Sequence, residues 1–596
     1  MANPRGVLIM GVCILAVLFG YQLSTSGQDP VTNKKLPDQV AIPFQLDRAD
    51  GKRWSWDECA QARAIVVVFT GIACPINNNY MPKLAAMHAT YAPKGVYFLA
   101  VNANKHESPA AVAKHAKEFQ IPFPVLKDVN NKLADQMRAQ RTPEAFLLDS
   151  RGKILYRGRI DDQFGIGFKR SKVVRSDLKE AIDEYLAGNP VTQPVTEVAG
   201  CLISRVSHPQ ADAKVAYYTH VEPIIQKNCQ WCHRPGEIGP MSLMSFKDVA
   251  GWGESIREVV SERRMPPWHA DPHQLGTFRN ERWLSDAEMQ TLLTWVDAGC
   301  PEGKPLVQTT PQPHFIDGWR LGKPDKIYSM QKPFKVPADM PERGVPYQYM
   351  ILERRLAEDQ WVQAIEARPG NRSVVHHIIA YVRQPGQRDR NEGIGDGFLC
   401  SYVPGDEPAI FAPGLGKKLP KGSVLFLQMH YTPNGVAAED LSSLGLIFCK
   451  EKPKHEVKTR SIHNTRFAIP PGESRYEVNA STTFRKDVML LSMSPHMHLR
   501  GKDFKYTVIY PDGKKELLLS VPKYDFNWQT NYVLKKPLRL PAGTRIECVA
   551  HFDNSENNPN NPDPKARVRW GDQTWEEMMI GFVDYYNLDG TDDDGD

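Results

Sequence analysis

From Val40 to about Leu186, short β-branched runs at Ile65 to Thr70, Val96 to Asn102 and Ala145 to Leu148 alternate with helical stretches such as Ala110 to Gln120. This alternation predicts an α/β unit around a central sheet. A polar, proline-containing connector from roughly Gly188 to Pro209 gives way to a mainly helical stretch. It closes with Ser285 to Gly299, where Ser285 and Glu288 form a capping box and Leu292, Leu293 and Val296 an apolar stripe. Pro301 to Pro313 holds four prolines and reads as a second linker. Beyond it come many short strands between glycine and proline turns, the pattern of β-sandwiches, and Ala468 to Gly472 with Pro470 and Pro471 divides them into two. At the N-terminus, Arg5 precedes an apolar run from Gly6 to Leu23 and then the small residues Ser24 to Gly27. That order reads as an export signal, with cleavage and retention as a membrane anchor both open.

The resulting division is 1–27 export signal or anchor, 38–190 α/β domain, 191–213 linker, 214–304 helical domain, 305–317 linker, 318–465 and 466–588 all-β sandwiches, and 589–596 acidic tail. A length of 596 residues suits about four folding units. Hydrophobic residues at 41% and charged residues at 24% are globular values, and a net charge of +5 without a basic block argues against a nucleic-acid partner. Of ten cysteines, Cys13 lies in the leader and Cys229 and Cys232 in a motif. The other seven cannot all pair within one chain, so at least one is free or joins another molecule.

Cys229-Gln230-Trp231-Cys232-His233 is a C-x-x-C-H arrangement, in which two thiols attach covalently to haem and the adjacent histidine ligates the iron. No second Cys/His pair follows at zinc-finger spacing. With Arg264-Met265-Pro266-Pro267-Trp268 and the closing Trp295-Val296-Asp297-Ala298-Gly299, the stretch from Tyr217 to Gly303 resembles class I c-type cytochromes. The resemblance implies an α-helical cytochrome c domain with one covalent haem c on Cys229, Cys232 and His233, and Met265 as distal ligand. Met241, Met244 and His269 compete with Met265 for that role.

The last half holds His376-His377 in the apolar run Val374 to Val382, then Gln428-Met429-His430-Tyr431, then His496-Met497-His498. Adjacent histidines on a strand point to opposite faces, so one of His376 and His377 is expected buried and the other exposed. In H-x-H the two side chains share a face and can close on one ion. Together with Leu419-Pro420-Lys421-Gly422, the continuation Leu499-x-Gly501-Lys502, and Glu577-Met578 followed by Tyr585-Tyr586, the series resembles the copper type II, ascorbate-dependent monooxygenases. These include peptidylglycine α-hydroxylating monooxygenase and dopamine β-hydroxylase. The resemblance implies two jelly-roll-like sandwiches and two copper ions, one on His376, His377 and His430, the other on His496, His498 and Met578. It also implies dioxygen as co-substrate, ascorbate or another one-electron reductant, and hydroxylation of a substrate C–H. Where the peptide-amidating enzyme anchors a carboxylate, this chain has Ser494, Ile580 and Phe582, which argues against a glycine-extended peptide. Met579 replaces a family cysteine and leaves Cys548 without its expected partner.

Strand Ile65 to Phe69, the turn reaching Cys74-Pro75-Ile76-Asn77, and Thr142-Pro143 resemble the active-site turn and cis-proline of thioredoxin-like redox proteins. A helix N-terminus favours the thiolate of Cys74, but Asn77 stands where the second cysteine of C-x-x-C belongs. Cys201 is the candidate resolving partner. The leading expectation is an exported, periplasmic or extracytoplasmic copper monooxygenase with electrons supplied through fused haem c. Its partners would be dioxygen, a small-molecule or peptide substrate and an external electron donor. A non-catalytic haem and copper relay and a thiol peroxidase or oxidoreductase led by Cys74 are the alternatives.

Overall fold

The computed structural model describes residues 44–170, 172–305, 315, 318–338, 341, 344–386 and 397–589. The export-signal reading and most of the second linker and acidic tail fall outside these residues. Among the described residues, no helix is long and apolar enough to cross a membrane.

The first unit is a thioredoxin-like α/β domain on a seven-stranded sheet. At its centre, Ala64–Thr70 runs parallel to Val96–Asn102 and antiparallel to Glu144–Asp149. All seven residues of Ala64–Thr70 are buried, because both faces of the sheet are covered. Ile65, Val67 and Phe69 enter one core while Ala64, Val66 and Val68 enter the other, the period-two alternation of a strand. The helix Pro75–Tyr91 leaves the C-terminal end of this strand, with Cys74 as its N-cap residue. The Thr142–Pro143 peptide bond is cis and lies beside that helix start.

The second unit packs the helices Glu222–Asn228, Phe246–Gly251, Gly253–Ser261 and Asp286–Asp297 around Val221, Ile225, Leu292 and Trp295. The Ser285–Glu288 capping box is present, with each partner satisfying a backbone N–H of the first turn.

The C-terminal half forms two β-sandwiches, each around its own core. In the first, the strands run Gln348–Glu353, Val424–Tyr431, Val375–Arg383 and Phe398–Tyr402 across one sheet. In the second, Lys458–His463, Ile580–Asn587, Val488–His496 and Tyr532–Leu540 form one sheet. Lys458–His463, assigned by sequence to the first sandwich, therefore belongs to the second, and the division lies before it rather than at Ala468. Its pairing partner is more than a hundred residues downstream, beyond the reach of a local turn signal.

The helical unit and the second sandwich are joined by backbone. Asp271 N donates to Ser520 O at 2.8 Å, and Lys535 N donates to Thr277 O at 2.9 Å. Trp268, Ala270 and Phe278 enter the second sandwich's core, where Trp268 and Phe278 pack edge-on against Tyr532.

Candidate metal centres

His376 and His377 open the strand Val375–Arg383, and His430 lies beside them on Val424–Tyr431. The expectation that the two adjacent histidines face apart is corrected by a β-bulge. The register passes from Val375 opposite Tyr431 directly to His377 opposite His430, leaving His376 unpaired between them. A bulge re-aims one side chain, so both rings turn to the same side. His376 Nδ1 and His377 Nδ1 lie 3.2 Å apart, and one ring nitrogen from each of His376, His377 and His430 falls within 4.8 Å of the others.

Burial, followed by the neighbouring imidazoles, pushes the pKa of His377 and of His430 well below the ordinary histidine value. Three neutral imidazoles with inward lone pairs are a ligand set for a d-block cation. His377 Nε2 and His430 Nδ1 are buried without a hydrogen-bond partner. A buried polar atom left unpaired costs about 1–3 kcal/mol, which coordination would relieve. The residues therefore fit a metal ion.

The second group is held by its outer shell. His496 Nδ1 donates to Gln529 Oε1 at 2.7 Å and His498 Nδ1 donates to Glu576 O at 3.2 Å, which leaves each Nε2 as the inward lone pair. His498 Nε2 is buried and unpartnered. Burial depresses His496 to about 4 and His498 to about 3. His496 pairs with Ile580, and Phe582, two residues further along the same strand, lies 6.4 Å from the His496 ring. Met579 is 0% exposed in the sandwich core, whereas Met578, 9% exposed, sits outside that core with Ile580 and Phe582. The two methionines thus point to different surroundings, and Met578 shares its cluster with Phe582, the ring beside His496. Glu577 receives the backbone N–H groups of His498 and Arg500 at 2.9 and 2.7 Å, while burial raises its pKa to about 7.

Aromatic rings interleave the two groups. Phe526 of the second sandwich stacks on His376 at 5.3 Å and 15° and lies 6.1 Å from His498. Tyr347 of the first lies 5.0 Å from His430 and 6.4 Å from His498, with its hydroxyl buried and unpartnered. Sequence reasoning missed Tyr347, Phe526 and Gln529, because no spacing relates them to the histidines, and it named Glu577 only as the neighbour of Met578, without a role.

Cys229, Cys232, His233 and Met265 line one cavity of about 2880 Å³, which also reaches Cys74, Cys201, His376 and His430. His233 Nδ1 donates to Met241 O at 3.3 Å, which leaves Nε2 to face a ligand. A Cβ at Gly239 would strike Cys232 O and the His233 ring, so only glycine admits this turn. Among the competitors, His269 also lines the cavity with a buried, unpartnered Nδ1, and Met241 lines it while packing against the helical core. Two thiols and an inward imidazole on a roomy wall fit a covalently attached haem. Of the remaining cysteines, Cys548 is buried beneath Gly581, and His551 is a structural residue bonded to Asp503 at 2.7 Å.

Residues 37–157 match the AhpC/TSA family, and residues 457–593 match the copper type II ascorbate-dependent monooxygenase, C-terminal domain. The thiol-disulfide oxidoreductase ResA of Bacillus subtilis (strain 168) is 26% identical over 150 residues, 25% of this chain and 79% of that protein. ResA of Geobacillus kaustophilus is 27% identical over 150 residues, 25% of this chain and 84% of that one. A solved structure of a hypothetical protein from Sinorhizobium meliloti 1021 is 29% identical, covering 29% of this chain and 96% of that one with a TM-score of 0.27.

Proposed function

We propose that this chain, which carries a redoxin domain and the C-terminal domain of a copper type II ascorbate-dependent monooxygenase, hydroxylates a substrate C–H with dioxygen. The reading is carried by the unpartnered, buried nitrogens of His377, His430 and His498, drawn together across two sandwiches. Copper held here would supply dioxygen activation and one-electron chemistry, and haem c would supply electrons singly.

The protein's own contribution is the asymmetry of the two ligand sets. His376, His377 and His430 offer three imidazoles, which tolerate both copper oxidation states. His496, His498 and Met578 add a thioether, which favours Cu(I). Gln529 and the Glu576 carbonyl fix the tautomers of the second set. Phe526 and Tyr347 each pack against histidines of both groups.

Ile580 and Phe582 are buried and apolar beside Met578, and Phe398 stacks on Phe582 at 5.5 Å. These surroundings favour a substrate that presents an apolar C–H without a carboxylate to neutralise. The segment from Met265 to Phe278 supports internal electron supply through haem on Cys229, Cys232 and His233, since it runs from the motif's cavity into the second sandwich. Export to an extracytoplasmic compartment, an external donor such as ascorbate, and two coppers per chain belong to the same proposal.

The test is to supply the copper-loaded, reduced chain with exported small molecules and peptides under ¹⁸O₂. One labelled oxygen per product, lost in Met578→Ala, supports hydroxylation. Oxidation of the donor without incorporation of oxygen would make the chain a relay.

A further inference from the structure

The copper reading leaves a pair of sulfurs unused. Cys74 donates through Sγ to Thr142 O at 2.9 Å. Beyond the domain's last helix, Asp177–Leu186, the chain returns as the strand Cys201–Leu202, which pairs antiparallel with Arg141–Thr142 and sets Cys201 opposite Thr142. Both cysteines therefore converge on one residue of the cis-proline turn, Cys74 through its hydrogen bond and Cys201 through its strand pairing, and each thiol shifts the other's titration. Gly200 makes the approach close, because at its φ of +149° a Cβ would strike Thr142 O. Asn77 cannot be exchanged for a nearer partner without loss, since its buried side chain donates to Gly71 O at 2.9 Å.

The two sulfurs differ in character. Burial raises the Cys74 thiol, yet the Cys201 thiol and backbone N–H groups of Asn77 and Cys201 bring it down to about 7. Cys201 is held well above the usual thiol value, first by its bond to Cys74 and then by burial, with Glu107 adding to the rise and Arg141 opposing it. Cys74 is only 1% exposed, but both cysteines open onto the shared cavity, so a reactant must be small enough to enter it.

Arg141 fastens the returning strand. Its Nη1 donates to Gly200 O at 2.8 Å, and its guanidinium grips Glu258 of the helix Gly253–Ser261 at 3.0 and 3.2 Å. The pair is thus assembled where the redoxin domain meets the helical unit.

We propose that Cys74 and Cys201 form a reversible dithiol–disulfide couple that exchanges two electrons with a low-molecular-weight disulfide entering the cavity, and that Arg141 is a positioning residue for Cys201. The Cys74 thiolate attacks one sulfur of the disulfide R–S–S–R′, forming a Cys74–S–S–R bond and expelling R′S⁻, which takes a proton. Cys201 then attacks Cys74 Sγ, closing the Cys74–Cys201 disulfide and expelling RS⁻, which takes the proton that Cys201 gives up. Two protein thiols are oxidised and one small disulfide is reduced to two thiols. The reverse reaction with a dithiol restores the pair.

The full chain, metal-free and anaerobic, would be equilibrated with graded ratios of reduced and oxidised glutathione, acid-quenched and mapped by mass spectrometry. The expected result is a Cys74–Cys201 linkage that forms and reverses with the ratio. Cys201→Ser should accumulate glutathione on Cys74, whereas Cys74→Ser should leave Cys201 unmodified. Thiolate absorbance should titrate near pH 7 and move upward in Cys201→Ser, which loses the hydrogen bond. Arg141→Gln should slow closure of the disulfide at least tenfold while initial attack by Cys74 is unchanged, with partial recovery in Arg141→Lys. Absence of the linkage at every ratio, or oxidation of Cys74 by peroxide with no reaction toward glutathione disulfide, would overturn the proposal. Neither result bears on copper, because no metal takes part in the assay.

Discussion

Acid should destabilise the metal-free chain through the two histidines of the H-x-H motif. His496 and His498 are neutral in the fold, with pKa values depressed by burial to about 4 and about 3. In the unfolded chain each titrates at roughly 6.5. Because the unfolded state binds the extra protons, the stability these groups contribute is complete above about pH 6.5 and is lost as pH falls toward the folded values. Between pH 7.5 and 5.5 the loss is about 1.4 kcal/mol for each, or about 3 kcal/mol for the two. Glu577 and Asp406, both raised to about 7 by burial, titrate in the opposite sense, so the absolute change mixes both signs. Comparison with the His496→Gln, His498→Gln double variant cancels that background. Guanidinium unfolding at the two pH values, followed through the tryptophans of the second sandwich, should find the variant losing about 3 kcal/mol less than the parent chain. An equal pH response in both would refute the claim that these imidazoles are buried neutral.

Other expected outcomes follow from the same geometry. Gln529→Leu, which removes the acceptor for His496 Nδ1, should weaken copper binding about 10–100-fold in a chelator competition, and unchanged affinity would deny the outer-shell role. Cys229→Ala with Cys232→Ala should abolish haem that resists acid-acetone extraction, whereas Met265→Ala should keep the haem and change its ligation and potential. In stopped flow, reduced haem should be reoxidised in a copper-dependent step slowed by His376→Ala or His377→Ala. Reoxidation indifferent to copper would make the haem a donor to some external partner.

Local chemistry was legible in the sequence and long-range pairing was not. The Ser285–Glu288 capping box and the β-branched run Ile65 to Thr70 are signalled by residues close in sequence, and the structure has the box and a strand Ala64–Thr70. The histidine motifs were visible as residue types, but their convergence depends on a bulge defined only against the partner strand. Without it, His376 would turn away from His377 and the cluster would have two members. Phe526 and Gln529 come from a loop of one sandwich that reaches histidines of both, so nothing in their spacing announces them. Cys201 was a candidate partner for Cys74 in the sequence, but the pairing of its strand with Arg141–Thr142, which brings it there, has no local signal. Assignment of Lys458–His463 to the wrong sandwich has the same origin, since a strand's pattern does not say which sheet it joins.

The central claim is that this chain holds two coppers in unlike ligand sets, one all imidazole and one with the thioether of Met578. X-ray absorption on the copper(I)-loaded protein, paired with metal analysis, tests it without knowledge of the substrate. The expected result is two coppers per chain and a copper–sulfur contribution that disappears in Met578→Ala while the nitrogen contribution of His376, His377 and His430 remains. A chain that takes up zinc but no copper, or a sulfur signal that survives in Met578→Ala, would contradict it.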